Sequence, residues 1–126
     1  MLFNEIFFDC MKDPGGIVSV ASVSAEGKPH IANCWNKYLI ITDDDKILLP
    51  CFGFRKTEQN VKSQPYVEMV IGSDKVQGKM GMGTGFLLTG TAEFHSEGEL
   101  FTRMHDKCSF ANRVLVFTPT TCAQKI

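Results

Sequence analysis

The chain has 126 residues, 44% hydrophobic and 21% charged, the composition of one ordinary globular domain rather than of a disordered segment. Its 13 basic and 14 acidic residues leave a formal net charge of -1, so nothing points to nucleic acid, and a bound anion would be small and met by local cations. No apolar run approaches the ~20 residues of a membrane span, and "LFNEIFFDCMK" after Met1 is too short and too acidic for a secretory signal.

Asn4 to Lys12 reads as a short helix, capped by Asn4, with Ile6, Phe7, Cys10 and Met11 on one face and "DPGG" ending it. Ile17 to Val23 is β-rich and partly alternating, hence a strand, and "SAEGK" supplies a turn. Pro29 to Ile41 has enough β-formers for one long or two short strands. The charged turn "TDDDK" follows, then "ILLP", a short buried strand. A brief helix after Arg55 stops at Pro65, and Tyr66 to Gly72 alternates as a strand.

Val76 to Phe94 is rich in glycine and β-formers, which predicts strands interrupted by a bend or bulge. Ser96 and Glu99 form an S-x-x-E capping box that opens a helix through about His105. Arg113 to Thr120 is a last strand, and "TCAQKI" a tail. Many short strands without regular strand–helix alternation argue against a Rossmann sheet, and the glycines of "GMGTG" fall at the wrong intervals for a dinucleotide loop. The expected fold is mainly β: one domain over residues 1–126, an antiparallel, Greek-key-like barrel flanked by two or three short helices.

The cysteines Cys10, Cys34, Cys51, Cys108 and Cys122 are odd in number and contain no CxxC pair. They read as reduced thiols of a cytoplasmic protein, with no metal site. His30, His95 and His105 have no nucleophile-elbow serine beside them, which disfavours a catalytic triad.

Three stretches carry chemistry. In "FGFRKTEQNVK" a strand gives way to a helix whose unpaired N–H groups and partial positive charge suit a phosphate. Gly53 permits close backbone approach, Arg55 offers a fork of donors, Lys56 a compact charge, and Thr57 a hydroxyl with N-cap geometry. A capped surface helix with two solvated cations would use the same residues. In "NCWNKY" the only tryptophan stands near one of two tyrosines, between side-chain amides. On a strand, Asn33, Trp35 and Lys37 would share one face, and Cys34, Asn36 and Tyr38 the other. A planar heterocycle with imide edges needs such groups; so does a core tryptophan beside turn amides. The glycines of "GMGTGFLLTGTAEF" admit a ligand or merely relieve twist.

Together, "HIANCWNKYL", "ILLPCFGFRKTEQNV" and "GTGFLLTGTAEF" resemble the small FMN-binding proteins of the pyridoxamine 5'-phosphate oxidase-like, FMN-binding split-barrel family, nearest to the short members of sulfate-reducing anaerobes. The likeness runs almost end to end. It implies a split barrel that forms a homodimer with FMN at the subunit interface. Arg55, Lys56 and Thr57 would hold the phosphate, and Asn33, Cys34, Trp35 and Tyr38 would lie around the ring and ribityl chain. Pro50, Gly53 and Thr84 would complete the site. Cys34 stands where the family often has threonine, Phe110 where it usually has tryptophan, and Ile126 would reach the other subunit's flavin.

The expected activity is electron transfer in the cytoplasm, with a redox partner protein or a nicotinamide cofactor as donor. A flavin-dependent oxidase or reductase and a non-enzymatic flavin reservoir or sensor are the alternatives. Cys34 is expected to be an inert thiol.

Overall fold

The structure, a computed structural model, describes residues 2–126. Helix α1 (Glu5–Met11) begins where Asn4 Oδ1 accepts the Phe7 N–H at 2.8 Å. Its buried face, Phe7 and Cys10, turns to the core, where Phe7 stacks on Phe3 at 4.3 Å and meets Phe86 edge-on at 5.5 Å. Strands β1 (Ile17–Val23) and β2 (Pro29–Trp35) form a hairpin with Ile17 opposite Trp35.

The chain from Pro29 to Ile41 is not one strand. A 3-10 turn at Asn36–Tyr38 separates β2 from β3 (Ile40–Ile41), so the two-face alternation expected for "NCWNKY" ends at Trp35. The cause is Asn36, which is buried. Its N–H goes to Gly16 O at 2.9 Å, and its Nδ2 donates to Cys10 O (3.2 Å) and Gly72 O (3.3 Å). Those bonds hold it to α1 and the central sheet and turn the chain away from β1.

Strand β4 (Ile47–Cys51) is buried throughout, because Ile47 and Leu49 face one core while Leu48 faces a second one under helix α3 (Glu99–Lys107). This burial on both sides explains why "ILLP" does not alternate. Helix α2 (Arg55–Ser63) is fastened to the first hairpin by Asn60 Nδ2 donating to Ser22 Oγ (3.0 Å) and Gln64 Nε2 to Ser24 O (3.1 Å). Strands β5 (Tyr66–Gln77), β6 (Met82–His95) and β7 (Arg113–Gln124) form a long meander. Register shifts occur after Ser73 and at Thr89–Gly90, where the expected bulge sits. A Cβ at Gly90 would lie 2.1 Å from Thr118 O, so only glycine fits.

The sheet order is β2-β1-β5-β6-β7-β4-β3, antiparallel throughout. With β4 lying beside β7 after a connection through α2, strands β4 to β7 make a Greek key. Residues as far apart in that order as Val18 of β1 and Leu49 of β4 share one buried cluster. The sheet therefore curls around its core without closing: a split barrel, mainly β, flanked among the described residues by three α-helices, as the sequence led us to expect. No helix among the described residues is long and apolar enough to cross a membrane.

Three local expectations fail. Ser96 and Glu99 form no capping box: Gly98, at φ 96°, is the N-cap, and no side chain caps the helix. Thr57 is not a cap either, because α2 starts two residues earlier, after Phe54. Most of the "TCAQKI" tail belongs to β7, since the long β6 offers a ladder as far as Phe86 opposite Gln124.

Candidate functional site

A cleft of about 380 Å³ opens at one end of the barrel. The end of β2 contributes Asn33, Cys34 and Trp35, the 3-10 turn Tyr38, and β4 Pro50. Gly53 comes from the loop before α2 and Phe110 from the loop between α3 and β7. The fold thus brings together seven residues read from the sequence. It adds three that the sequence reading passed over: Ile17, Phe52 and Phe54. Ile17 was hidden as an ordinary strand residue; Phe52 and Phe54 flank Gly53 and were overlooked beside the cations.

The cleft walls are aromatic and incompletely covered. Trp35 and Phe110 are each 47% exposed and Phe52 is 69% exposed. Tyr38 meets Phe110 edge-on, centroids 5.4 Å apart, and Lys37 Nζ lies 5.2 Å from the Tyr38 ring. Ser19 Oγ donates to Asn33 Oδ1 at 2.7 Å, which orients that amide. Burial pushes the Cys34 thiol up from its usual range, and the Trp35 backbone N–H only partly opposes this. Cys34 is therefore a protonated, weakly nucleophilic wall at neutral pH. Burial pushes Cys51 up to about 12, against the pull of the Arg113 charge.

Beside the cleft begins α2. Phe54 sits at φ 62°, ψ 25°, a left-handed conformation that costs a bulky residue about 1–3 kcal/mol and is held by its surroundings. No side chain caps the helix, and its first internal bond is Glu58 N–H to Phe54 O at 2.9 Å. The N–H groups of Arg55, Lys56 and Thr57 thus have no helical acceptor. Thr57 is fully buried, yet its Oγ1 has no hydrogen-bond partner. A buried hydroxyl without a partner costs about 1–3 kcal/mol, an arrangement that calls for a missing acceptor or donor.

The other predicted residues lie outside the cleft wall. The Arg55 side chain is 68% exposed and only loosely paired, its Nη1 3.5 Å from Glu58 Oε1. Lys56 lines a separate polar notch with Glu26 and Gln59. Thr84 is buried on β6 and accepts from Gln124 Nε2 at 3.0 Å. Ile126 lines an apolar pocket with Val70 and Leu87 on the outer face of the sheet.

Arg113, the first residue of β7, is the most connected residue near the cleft. Its guanidinium donates through Nε to Glu58 Oε1 at 2.8 Å and through Nη2 to Gly53 O. Nη1 serves Asn112 Oδ1 and, at 3.5 Å, Phe52 O. The plane lies 5.5 Å from the Phe94 ring. The side chains of Arg113 and Glu58 are 7% and 18% exposed, and breaking such a pair from one side costs about 3–5 kcal/mol.

The residues fit one kind of group: a flat, largely apolar ring system between half-exposed aromatics, carrying an anion toward the uncapped start of α2. Residues 14–125 match the family model described as Pyridoxamine 5'-phosphate oxidase. The chain is 38% identical over 120 residues to the FMN-binding protein of Nitratidesulfovibrio vulgaris (strain DSM 19637 / Miyazaki F), covering 95% of this chain and 96% of that protein. Among solved structures, HupZ of Group A Streptococcus superposes with TM-score 0.77 at 17% identity, covering 97% of this chain and 93% of that one. An FMN-binding protein from Syntrophomonas wolfei subsp. wolfei superposes with TM-score 0.69 at 19% identity, covering 86% and 76%. At these identities the structural neighbours establish a shared fold.

Proposed function

Because the chain belongs to the pyridoxamine 5'-phosphate oxidase family, we propose that its cleft binds FMN and that the protein is a flavin electron carrier. The observation that carries this reading is the fully buried, unpartnered Thr57 hydroxyl at the uncapped start of α2, next to a cleft rimmed by exposed aromatics. Thr57, the free N–H groups around it and the exposed Arg55 would hold the phosphate. Trp35, Tyr38 and Phe110 would flank the ring, and Asn33 would meet its polar edge. The similarity to a protein named for FMN binding supports the cofactor.

Bound FMN supplies transfer of one or two electrons. The chain's own part would be to wall the ring with Cys34 and Pro50, while the half-exposed Trp35 and Phe110 leave the rim open to a partner. We place the protein in the cytoplasm; all five cysteines are free, which suits a reducing compartment.

The reading includes a homodimer. On the outer face, Asn33, Ser19, Val70, Leu87 and Ala123 fall in one row across five strands, without a charge. Exposed Ile31 (65%) and Val70 (48%) lie on that face, and Ile126 borders it. A second copy covering this face would bring its own Ile126 toward the first copy's cleft.

The test is the visible spectrum of the purified protein, acid release of the chromophore, and sedimentation. Two oxidised-flavin bands, released FMN and a mass of twice 14.0 kDa are expected. A colourless protein that takes up no added FMN removes the cofactor reading. Failure of any nicotinamide cofactor or reductase to reduce the bound flavin in a stopped-flow mix removes the carrier role. Turnover of pyridoxamine phosphate would move the protein among the oxidases.

A further inference from the structure

We infer that Arg113 is a positioning residue that keeps the start of α2 selective for the phosphate-bearing flavin, by neutralising Glu58 and fixing the 52–54 loop. The inference rests on the FMN reading above.

The argument starts from a charge in an awkward place. Glu58 lies in the first turn of α2, one residue after the unpartnered Thr57 hydroxyl. Its Oε1 is within reach of two arginines, but unequally: Arg113 Nε at 2.8 Å and Arg55 Nη1 at 3.5 Å. The first contact is nearly buried, whereas the Arg55 side chain is mostly in water. Arg113 therefore holds the carboxylate, and Arg55 remains free to swing toward an anion. Without Arg113, Glu58 would recruit Arg55 and leave a carboxylate beside the place a phosphate must occupy, where like charges repel.

The remaining guanidinium donors reach backward in the chain. Nη2 bonds Gly53 O and Nη1 approaches Phe52 O, which are the two carbonyls just before left-handed Phe54. One side chain on β7 thus aligns both the loop that borders the cleft and the charge balance of the helix start. Lys could supply the charge but not the fork that spans the carboxylate and two carbonyls.

The test compares FMN with riboflavin, which lacks the phosphate, by fluorescence quenching on wild type, Arg113→Gln, Arg113→Lys, Glu58→Gln and the Arg113→Gln/Glu58→Gln pair. Wild type should prefer FMN, and Arg113→Gln should cut that preference by about tenfold or more, beyond whatever riboflavin affinity the loosened 52–54 loop costs. Adding Glu58→Gln should return most of the preference, and Arg113→Lys should keep part of it. Equal weakening of both flavins in Arg113→Gln would make Arg113 a loop anchor only and overturn the inference.

If Arg113→Gln does not fold, Glu58→Gln decides alone. It should hold or raise the FMN preference, and a loss of preference would sink the idea. A wild type that binds both flavins equally removes the phosphate site itself. A wild-type preference that survives Arg113→Gln removes only the role of Arg113.

Discussion

Gly16 and Asn36 are packed so closely that no side chain fits between them: a Cβ on Gly16 would lie 2.3 Å from Asn36 Nδ2 and 2.8 Å from Gly72 O. Asn36 is bonded on both its backbone and its amide, so it cannot withdraw. Gly16→Ala should therefore destabilise the fold by about 1–3 kcal/mol, the usual cost of overpacking. The same substitution should disturb the turn that presents Tyr38 and so weaken flavin binding. Urea unfolding and a flavin titration measure the two effects; an unchanged midpoint would show that the contact relaxes.

Thr57→Val should have opposite effects on stability and binding. It removes a buried hydroxyl that has no partner, so the empty protein should gain about 1 kcal/mol. FMN should bind roughly 10- to 150-fold more weakly, the equivalent of one charge-assisted hydrogen bond, and riboflavin should be unaffected. Thermal unfolding without flavin, followed by titration with each ligand, tests both signs.

Asp13 makes stability depend on acid. Its carboxylate accepts from Ser73 Oγ at 2.6 Å and from the Gly15 N–H at 2.9 Å, with Lys75 Nζ at 3.7 Å. These hold its pKa below the ordinary value, the Ser73 bond most of all. A depressed folded pKa means that the added stability is complete above the unfolded value near ~4 and disappears as pH falls through the folded one. Asp44, held to about 2 by Lys46 and then by Thr42, follows the same sign. Asp44→Asn should flatten the acid limb of stability between about pH 4 and 2, and Asp13→Asn should flatten it below about pH 4, where the link between the segment after α1 and β5 is lost. Urea midpoints across that range decide.

Cys34 should label slowly with a neutral thiol reagent at pH 7 and faster as pH rises, since burial raises its pKa. Added FMN should slow it further. Cys51, at about 12, should stay unlabelled in the folded protein. Mass spectrometry of the digested protein distinguishes the sites, and rapid labelling of Cys34 in the flavin-loaded protein would contradict this view.

Much of the barrel was legible because its strands bury one side. Val67, Met69 and Ile71 alternate as a half-buried strand must, and that pattern alone located β5. The end of β7 was not, because Thr118, Thr120 and Thr121 are exposed and their pairing with β6 leaves no apolar rhythm. The capping box misled because Gly98 adopts a backbone conformation open mainly to glycine and starts the helix two residues after Ser96. In the cleft, unusual residues within a few positions of one another, such as Trp35 and Tyr38, were readable. Arg113 was not: its partners Glu58, Gly53 and Phe52 lie 55 to 61 positions away, a distance only the folded sheet removes.

The two ends of the sheet have a consequence for motion. Strand β3 pairs only with Ile47 and Leu48, so β4 beyond them is unpaired on that side, while β2 is an edge along its whole length. The cleft lies between these two loose margins, touching Asn33 to Trp35 on one and Pro50 on the other. A molecule lodged there would act as a rivet across a seam that main-chain bonding leaves open. Amide exchange should then slow at both margins on loading, while the β5–β6–β7 meander, already laced on both sides, stays as it was.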